Sequence, residues 1–79
     1  MIKVFSKPNC VQCEQTKRFL SKHNIPYETT DVTKDTEARN LVTELGFFSM
    51  PVVVTDHDKW SGFRIDKLND LLVRYKNDR

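Results

Sequence analysis

Two cysteines separated by two residues are the feature of this sequence best suited to chemistry. Cys10-Val11-Gln12-Cys13 follows a strand-like segment and opens a helix-like one, which predicts that both sulfurs lie in the first turn of a helix. The first four N–H groups of a helix lack intrahelical partners, and the helix dipole places partial positive charge there. That position stabilises a thiolate, which is the nucleophile of disulfide exchange. The spacing therefore predicts a dithiol that reacts reversibly with disulfides.

The two sulfurs are expected to have different roles because they lie at different depths. Cys10, nearer the helix tip, is predicted to be the exposed nucleophile, and Cys13, one turn inward, the more buried resolving thiol. Residues i and i+3 are neighbours on a helix, so the pair can close into a redox-active disulfide without a change of fold. A disulfide across so short a loop stabilises a fold by only about 2 kcal/mol, which argues against a purely structural role. Lys7 could help to stabilise the thiolate or could simply be a solvated turn residue.

The cysteines allow two other interpretations. A zinc site could combine Cys10 and Cys13 with His23 and His57, but 33 residues separate the two histidines, unlike the close pair of a zinc finger. His23 is more simply a favourable residue at a helix C-terminus and His57 a turn residue. Alternatively the cysteines could be buried apolar residues without a role, although a helix tip after a Pro-Asn turn is not a core position. We therefore expect no metal site.

A strand, a helix and a second strand surround the cysteine pair. Residues 2–5 alternate loosely in polarity and predict the first strand, and Asn9 is the expected N-cap of the helix that follows. That helix is predicted over about residues 10–23, which contain good helix formers and neither Gly nor Pro. Residues 27–32 are rich in β-branched and aromatic side chains and predict the second strand. A strand–helix–strand opening implies a parallel pair with a right-handed crossover.

The rest of the chain predicts a helix, a hairpin and a last helix. Asp35 can cap the second helix, and Gly46 stands where a left-handed residue would end it. Pro51–Val54 is continuously apolar, as expected of a strand covered on both faces, and a brief strand is expected near residues 59–61. The last helix is predicted over about residues 65–76. The inner faces of the second and last helices are expected to comprise Ala38, Leu41, Val42 and Leu45, and Ile65, Leu68, Leu71, Leu72 and Tyr75.

The order of elements is βαβαββα, which defines an α/β fold. The first two strands should be parallel and the final hairpin antiparallel, so we expect a four-stranded mixed sheet flanked by three helices. With 79 residues, the chain is expected to form a single domain over residues 1–79.

Composition and charge exclude several classes of function. The net charge of +2, with basic and acidic residues interspersed, does not indicate nucleic-acid binding. Nothing approaches a run of about 20 apolar residues, so no membrane span is expected. The sequence enters a strand-like pattern at Ile2 without a secretory hydrophobic stretch, which makes the cytoplasm the expected location.

The whole chain resembles the glutaredoxin branch of the thioredoxin superfamily and, more narrowly, the NrdH-type redoxins. The resemblance is carried by Cys10-Val11-Gln12-Cys13 together with Trp60-Ser61-Gly62-Phe63-Arg64. It implies a thioredoxin fold and a monomer that serves as an electron donor without a bound cofactor. It also implies two partners: thioredoxin reductase, which would supply electrons from NADPH, and the large subunit of class Ib ribonucleotide reductase, which would receive them. One departure is that the family usually continues the second motif with Pro-Asp, whereas Ile65-Asp66 follows here.

Met50-Pro51 resembles the cis-proline of that superfamily, which faces the active-site cysteines. On the residues alone a trans bond is favoured, because only about 5% of X–Pro bonds are cis. The resemblance implies the cis form, which would leave Met50 free to pair strand to strand with an extended segment of a client.

The segment Trp60-Ser61-Gly62-Phe63-Arg64 allows two interpretations: Trp60 and Phe63 could cap a thin core, or the segment could form a surface for a reductase or client. Glutaredoxins that bind glutathione typically have a glycine pair here, which leaves room for a carboxylate of the tripeptide. Gly62 followed by Phe63 lacks that room, so we expect weak use of glutathione. The alternatives to the NrdH-type function are a glutathione-dependent glutaredoxin and a binding module with incidental cysteines.

Phe47 and Phe48 precede Ser49-Met50-Pro51 and could form an apolar rim near the thiols. One of the two is expected to belong to the core.

Overall fold

The computed structural model describes residues 1–77. Its four strands are β1 (Ile2–Ser6), β2 (Tyr27–Asp31), β3 (Val52–Val54) and β4 (Lys59–Ser61). Its three helices are α1 (Val11–Lys22), α2 (Thr36–Glu44) and α3 (Ile65–Asn77). The elements follow one another as β1-α1-β2-α2-β3-β4-α3, which is the predicted order βαβαββα.

The four strands form one mixed sheet in the order β2-β1-β3-β4. β1 is parallel to β2, with Val4 opposite Thr29, and antiparallel to β3, with Val4 opposite Val53. β3 and β4 pair antiparallel, with Val53 opposite Trp60. The parallel opening and the antiparallel hairpin are both as predicted. The two inner strands carry the most apolar residues because both of their faces are covered.

Two apolar clusters cover the two faces of the sheet. Successive residues of a strand point to opposite faces, so Val4 belongs to one cluster and Phe5 to the other. The first cluster joins the sheet to α1 and α3 and comprises Val4, Leu20, Ile25, Val53, Trp60, Leu68 and Leu71. The second joins it to α2 and comprises Phe5, Val32, Ala38, Val42 and Val52. Three helices thus flank the sheet, as the thioredoxin fold requires.

The predicted helix ends are largely confirmed. Asp35 caps α2 by accepting the N–H of Ala38 at 3.0 Å, and Gly46 follows the helix with φ +90°. Asn24, with φ 57°, ends α1 in the same left-handed conformation. At that end the N–H of Ile25 donates to the carbonyl of Leu20 over 2.9 Å, which satisfies one of the last free carbonyls of the helix.

Two residues of the predicted inner faces are exposed instead. Leu41 is 45% exposed, because α2 turns Ala38 and Val42 toward the sheet and leaves Leu41 at the margin of the contact. Ile65 is 49% exposed, because it is the first residue of α3 and precedes the turn that packs on the core through Leu68. These two expectations were wrong. The residues of the two faces that lie in or against the apolar clusters are Ala38, Val42, Leu68, Leu71, Leu72 and Tyr75.

Within residues 1–77 no helix combines the length and the apolar character that crossing a bilayer would require.

Candidate active site

Cys10 is the N-cap of α1. Its backbone is extended, with φ −120° and ψ 105°, and its Sγ accepts a hydrogen bond from the N–H of Cys13 at 3.1 Å. The prediction that Asn9 caps this helix was wrong. Asn9 has φ 58°, a left-handed conformation that turns the chain and cannot supply the extended geometry of a cap. The cap position therefore falls to the next residue, which places a sulfur at the helix tip.

The two cysteines form a disulfide and differ in exposure as expected. Their Cα atoms are 5.2 Å apart across one turn of the helix. Cys13 is only 1% exposed, whereas Cys10 is partly exposed. The following turn is held by Thr16, whose hydroxyl donates to the carbonyl of Gln12 at 2.9 Å. An attacking group from solvent would therefore meet Cys10 first.

The loop before β3 brings Met50 and Pro51 to the cysteines. The Met50–Pro51 peptide bond is cis, as the resemblance implied. The Sγ of Cys10 lies 3.7 Å from the carbonyl oxygen of Met50. Pro51 is buried, and Met50 packs partly against the cluster beneath α2. The loop residues predicted for the site thus adjoin the exposed sulfur.

The connection from β4 to α3 is attached to the same loop by two hydrogen bonds. The hydroxyl of Ser61 donates to the carbonyl of Ser49 at 2.8 Å, and the N–H of Gly62 donates to the carbonyl of Pro51 at 2.8 Å. The two segments therefore form one continuous backbone surface beside Cys10. Ser49 was not singled out in the sequence, because its backbone carbonyl, which carries no sequence signal, makes the contact.

Gln12 connects the cysteine motif to this surface. Its side-chain oxygen Oε1 accepts the N–H of Phe63 at 2.9 Å. At Gly62, which has φ +88°, a Cβ would lie 3.2 Å from the same oxygen. The glycine is thus required both by its backbone conformation and by the close approach of the glutamine. Sequence reasoning missed this role of Gln12, since no spacing rule predicts a contact over 51 positions.

Trp60 and Phe63 lie in different environments. The Trp60 side chain is 4% exposed and belongs to the cluster beneath α1 and α3, so the expectation that it contacts a partner is corrected. Its contacts are with that cluster, and its backbone pairs with Val53 of β3. Phe63 packs partly against the same cluster and remains partly exposed. The core interpretation therefore applies to Trp60, and only the backbone and exposed side chains of residues 61–64 can contact a partner.

Arg64 and Asp66 form a bidentate ion pair at the start of α3. Nε and Nη2 of Arg64 donate to the two carboxylate oxygens of Asp66 at 3.1 and 2.8 Å. These bonds and the backbone amides of Lys67 and Asp66 lower the pKa of the Asp66 carboxyl from 3.8 to about 2. The same contacts raise the pKa of Arg64. The carboxylate of Asp66 thus lies at the N-terminus of α3, which is the positive end of the helix dipole.

Three further residues were predicted to lie near the thiols: Lys7, Phe47 and Phe48. Lys7 is exposed and lines an open groove together with Cys10 and Val11. Phe47 packs against the cluster beneath α2, whereas Phe48 is 83% exposed. The expectation that one of these phenylalanines belongs to the core is confirmed.

The four residues of the zinc interpretation are not brought together. His23 is the C-cap of α1, and its ring centroid lies 4.5 Å from that of Phe19. A helix of 12 residues separates it from Cys10 by roughly 18 Å. His57 lies in the turn between β3 and β4. In the part of the chain that the structure describes, no group of three or more His, Cys, Asp or Glu side chains could hold a metal ion.

Three comparisons agree on the family of this chain. The glutaredoxin family model matches residues 2–60. The glutaredoxin-like protein NrdH of Lactococcus lactis is 38% identical over 71 residues, which cover 90% of this chain and 99% of that protein. The solved structure of the NrdH-redoxin from Escherichia coli superposes with a TM-score of 0.85 at 36% identity and covers 89% of this chain and 92% of its own. A buckwheat glutaredoxin in complex with glutathione has a TM-score of 0.70 at 21% identity, over 92% of this chain and 76% of that one, which shows the shared fold alone.

The thioredoxin fold and the Cys10–Cys13 disulfide at the tip of α1 define a thiol-disulfide oxidoreductase. This class accounts for the capped, partly exposed sulfur and its buried neighbour better than a binding module with incidental cysteines does. Within the class, the chain belongs to the glutaredoxin family as a glutaredoxin-like protein of the NrdH type.

Proposed function

We propose that this protein is a cytoplasmic electron donor that thioredoxin reductase reduces with electrons from NADPH and that reduces class Ib ribonucleotide reductase. The observation that carries the proposal is the position of Cys10 Sγ, partly exposed at the N-cap of α1 and hydrogen-bonded to the N–H of Cys13 at 3.1 Å. Once the disulfide is reduced, the amide and the helix dipole at that position stabilise a thiolate relative to a thiol.

The reaction with a client proceeds in two exchanges. In the first, the Cys10 thiolate attacks one sulfur of the client disulfide, which forms a mixed disulfide and releases the other client sulfur as a thiolate. In the second, the Cys13 thiolate attacks Cys10 Sγ, which closes the Cys10–Cys13 disulfide and releases the first client sulfur. Two electrons pass to the client in each cycle, and two from NADPH restore the dithiol. Cys13 resolves rather than initiates because it is 1% exposed.

The surface next to Cys10 fits an extended segment of a protein partner. The loop at Met50 and Pro51 and the connection at Ser61 and Gly62 lie beside each other, joined by two hydrogen bonds. A client strand could lie along this backbone with its disulfide over Cys10. The NrdH-redoxin of Escherichia coli is described as having a thioredoxin-like activity profile, which supports a protein reductant for this chain as well.

A glutathione-dependent glutaredoxin is the alternative, and the region after β4 disfavours it. The N–H of Phe63 is engaged by Gln12 at 2.9 Å, and the Asp66 carboxylate occupies the N-terminus of α3. A carboxylate of glutathione would have to displace one of them. We therefore expect weak reduction by glutathione.

Reduction of the oxidised protein by the two systems tests the proposal directly. NADPH oxidation is followed with an oxidised client present, once with thioredoxin reductase and once with glutathione and glutathione reductase. The proposal predicts turnover that is at least about tenfold faster with thioredoxin reductase. Equal or faster turnover with glutathione would assign the protein to the alternative function. Accumulation of disulfide-reduced class Ib ribonucleotide reductase large subunit, and its loss without the redoxin, tests the choice of client.

A further inference from the structure

The two faces of the sheet are covered unequally. α1 and α3 both pack on one face, through Leu20 and Leu68, whereas within residues 1–77 only α2 packs on the other, through Val42. A sheet of four strands is about 19 Å wide at about 4.8 Å per strand, and a helix with its side chains is about 10 Å across. One helix cannot cover that width, so part of the second face is open.

The open part is a groove of about 620 Å³ between α2 and the hairpin of β3 and β4. Lys3, Val54 and Lys59 lie side by side in its floor, because Lys3 is in register with Val54 and Val54 with Lys59. Leu41 of α2, which is 45% exposed, and Leu45, the C-cap of that helix, line its wall. We call the surface formed by these five residues the α2 groove.

Two acidic residues border the α2 groove at the hairpin, and both are paired within the chain. The carboxylate of Asp58 lies 2.7 Å from Nζ of Lys67, and that of Asp56 lies 3.7 Å from the N-terminal ammonium of Met1. Each carboxylate therefore has a cation outside the floor of the groove, and neither forms an ion pair with the lysines of that floor.

The lysines of the floor carry charge that the described part of the chain does not pair. Lys3 and Lys59 are exposed, and neither forms a salt bridge with a described residue. Glu28 is in register with Lys3 on β2, at the edge away from the hairpin, and also forms no salt bridge there. The α2 groove thus combines an apolar centre at Val54 with two free ammonium groups.

The α2 groove lies at the end of the sheet away from the cysteines. The carbonyl of Met50 lies beside Cys10 Sγ, and Val54 is four positions further along the chain. In extended conformation those positions span roughly 13 Å. A molecule bound in the α2 groove would therefore leave Cys10 accessible to a disulfide.

We propose that the α2 groove is a docking site for an amphipathic helix of a protein partner, with acidic residues along both sides of its apolar stripe. The stripe would pack on Leu41 and Val54, and the carboxylates would pair with Lys3 and Lys59. The uncovered width of the sheet gives the size of the occupant, and the free lysines give its charge. The inference concerns binding and does not depend on the proposed electron donation.

The first test measures binding of three synthetic helical peptides to the oxidised full chain by fluorescence anisotropy. The peptides share one leucine stripe and differ in the residues that border it, which are Glu, Gln or Lys. The Glu peptide should bind about tenfold more tightly than the Lys peptide, with the Gln peptide between them, and high salt should reduce the difference. Equal binding of the three peptides, or tighter binding of the Lys peptide, would overturn the proposal.

Neutralisation of the two lysines should weaken binding of the Glu peptide. The double variant Lys3→Gln, Lys59→Gln should lose about fivefold in affinity for it, as two exposed ion pairs allow, and stay within about twofold for the Gln peptide. The matched control is Lys22→Gln, Lys76→Gln, which removes the same charge from exposed positions on α1 and α3. An unchanged affinity of the first variant, or an equal loss in the control, would refute the charge complementarity.

The apolar part of the contact is tested at Leu41. Leu41→Ala should weaken binding of all three peptides about fivefold or more. Phe48→Ala changes a more exposed apolar residue outside the α2 groove and should leave peptide binding within about twofold. Equal effects of the two variants would show that the peptides bind by unspecific apolar contact, which would contradict the proposal.

Amide chemical shifts of the unaltered protein locate the bound Glu peptide without any substitution. They should change at Lys3, Val54 and Lys59 and not at Cys10, and the reverse pattern would overturn the proposal. Sedimentation of the protein alone tests a second copy as the occupant, and vesicles of phosphatidylcholine and phosphatidylglycerol in equal parts test a membrane surface. Dimerisation or vesicle binding that Lys3→Gln, Lys59→Gln abolishes would assign the groove to that occupant instead. Failure of thioredoxin reductase to reduce the protein would refute the proposed function and leave these binding results unaffected.

Discussion

The N–H of Cys13 donates to the Sγ of Cys10 over 3.1 Å, across the same helical turn that the disulfide closes. Cys10 is therefore at once the cap of α1 and the exposed member of the redox pair. In the reduced protein its thiolate would be a stronger acceptor for that amide than a neutral thiol. Reduction thus leaves the helix capped, and the cap favours the reactive form of the sulfur.

Replacement of either cysteine should stop turnover, but at different stages. Cys10→Ser removes the nucleophile, so multiple-turnover reduction of insulin should fall to the uncatalysed rate. Cys13→Ser keeps the nucleophile and removes the resolving thiol, so mixed disulfides between Cys10 and the client should accumulate. Mass spectrometry of the intact protein after reaction with a client disulfide distinguishes the two states. Retained turnover in Cys10→Ser, or trapped adducts in that variant, would refute the assignment of roles.

Phe48 should contribute to recognition of protein partners and little to stability. It is 83% exposed, next to the loop that carries Met50. Exposed aromatic residues are frequent anchors in interfaces. In the reduction of this protein by thioredoxin reductase, Phe48→Ala should therefore raise the KM of the reductase for the redoxin about fivefold or more. Its free energy of unfolding should change by less than about 0.5 kcal/mol.

Phe47→Ala is the matched control for that variant. Phe47 packs against the cluster beneath α2, so its loss should lower the free energy of unfolding by more than Phe48→Ala does. Steady-state kinetics and urea unfolding of both variants measure the two effects. An unchanged KM in Phe48→Ala would exclude this side chain from the docking surface.

The cap of α2 should have a measurable effect on stability. Asp35 accepts the N–H of Ala38 at 3.0 Å, and Asp35→Ala leaves that amide without its side-chain partner. The free energy of unfolding should fall by about 1 kcal/mol. Asp35→Asn retains a capping oxygen, so its free energy of unfolding should fall by only a few tenths of that amount. Equal losses in the two variants, measured by urea unfolding, would show that the hydrogen bond is not what stabilises this end.

Acid should weaken the fold partly through Asp66. Its pKa of about 2 in the folded protein lies below the ordinary 3.8, so the folded state favours the ionised form. This contribution is complete above the ordinary pKa and is lost as the pH falls toward 2. Unfolding free energies of the unaltered protein and of Asp66→Asn should therefore differ at pH 5 and converge near pH 2. The difference should be small and should shrink in salt, because the pair is exposed. A difference that is constant over this pH range would contradict the role of the carboxylate charge.

The fold could be predicted from the sequence because its signals are local. The apolar run at Pro51–Val54, the cap at Asp35 and the left-handed Gly46 each indicate an element boundary or a buried strand without reference to the rest of the chain. Their alternation along the chain then defines the order of strands and helices. The cysteine pair was likewise recognisable, since its spacing and its position at the start of a helix suffice.

The details of the site depend on contacts between distant segments. Nothing in the residues from Lys7 to Cys10 decides which of them takes the cap, because the left-handed backbone of Asn9 is imposed by the turn. The contact of Gln12 with Phe63 exists only because α1 and the connection after β4 meet beside Pro51. The sequence alone does not decide whether Trp60 is a surface or a core residue, because its burial depends on the pairing of β4 with β3.

Titration of the reduced protein tests the central claim most directly. Thiolate absorbance at 240 nm is followed against pH in the unaltered protein and in Cys13→Ser, which retains only the sulfur at the helix tip. We predict that Cys10 titrates clearly below the value of about 8.5 of an ordinary cysteine, because the α1 terminus stabilises its anion. Two thiols that both titrate at or above that value would contradict the account.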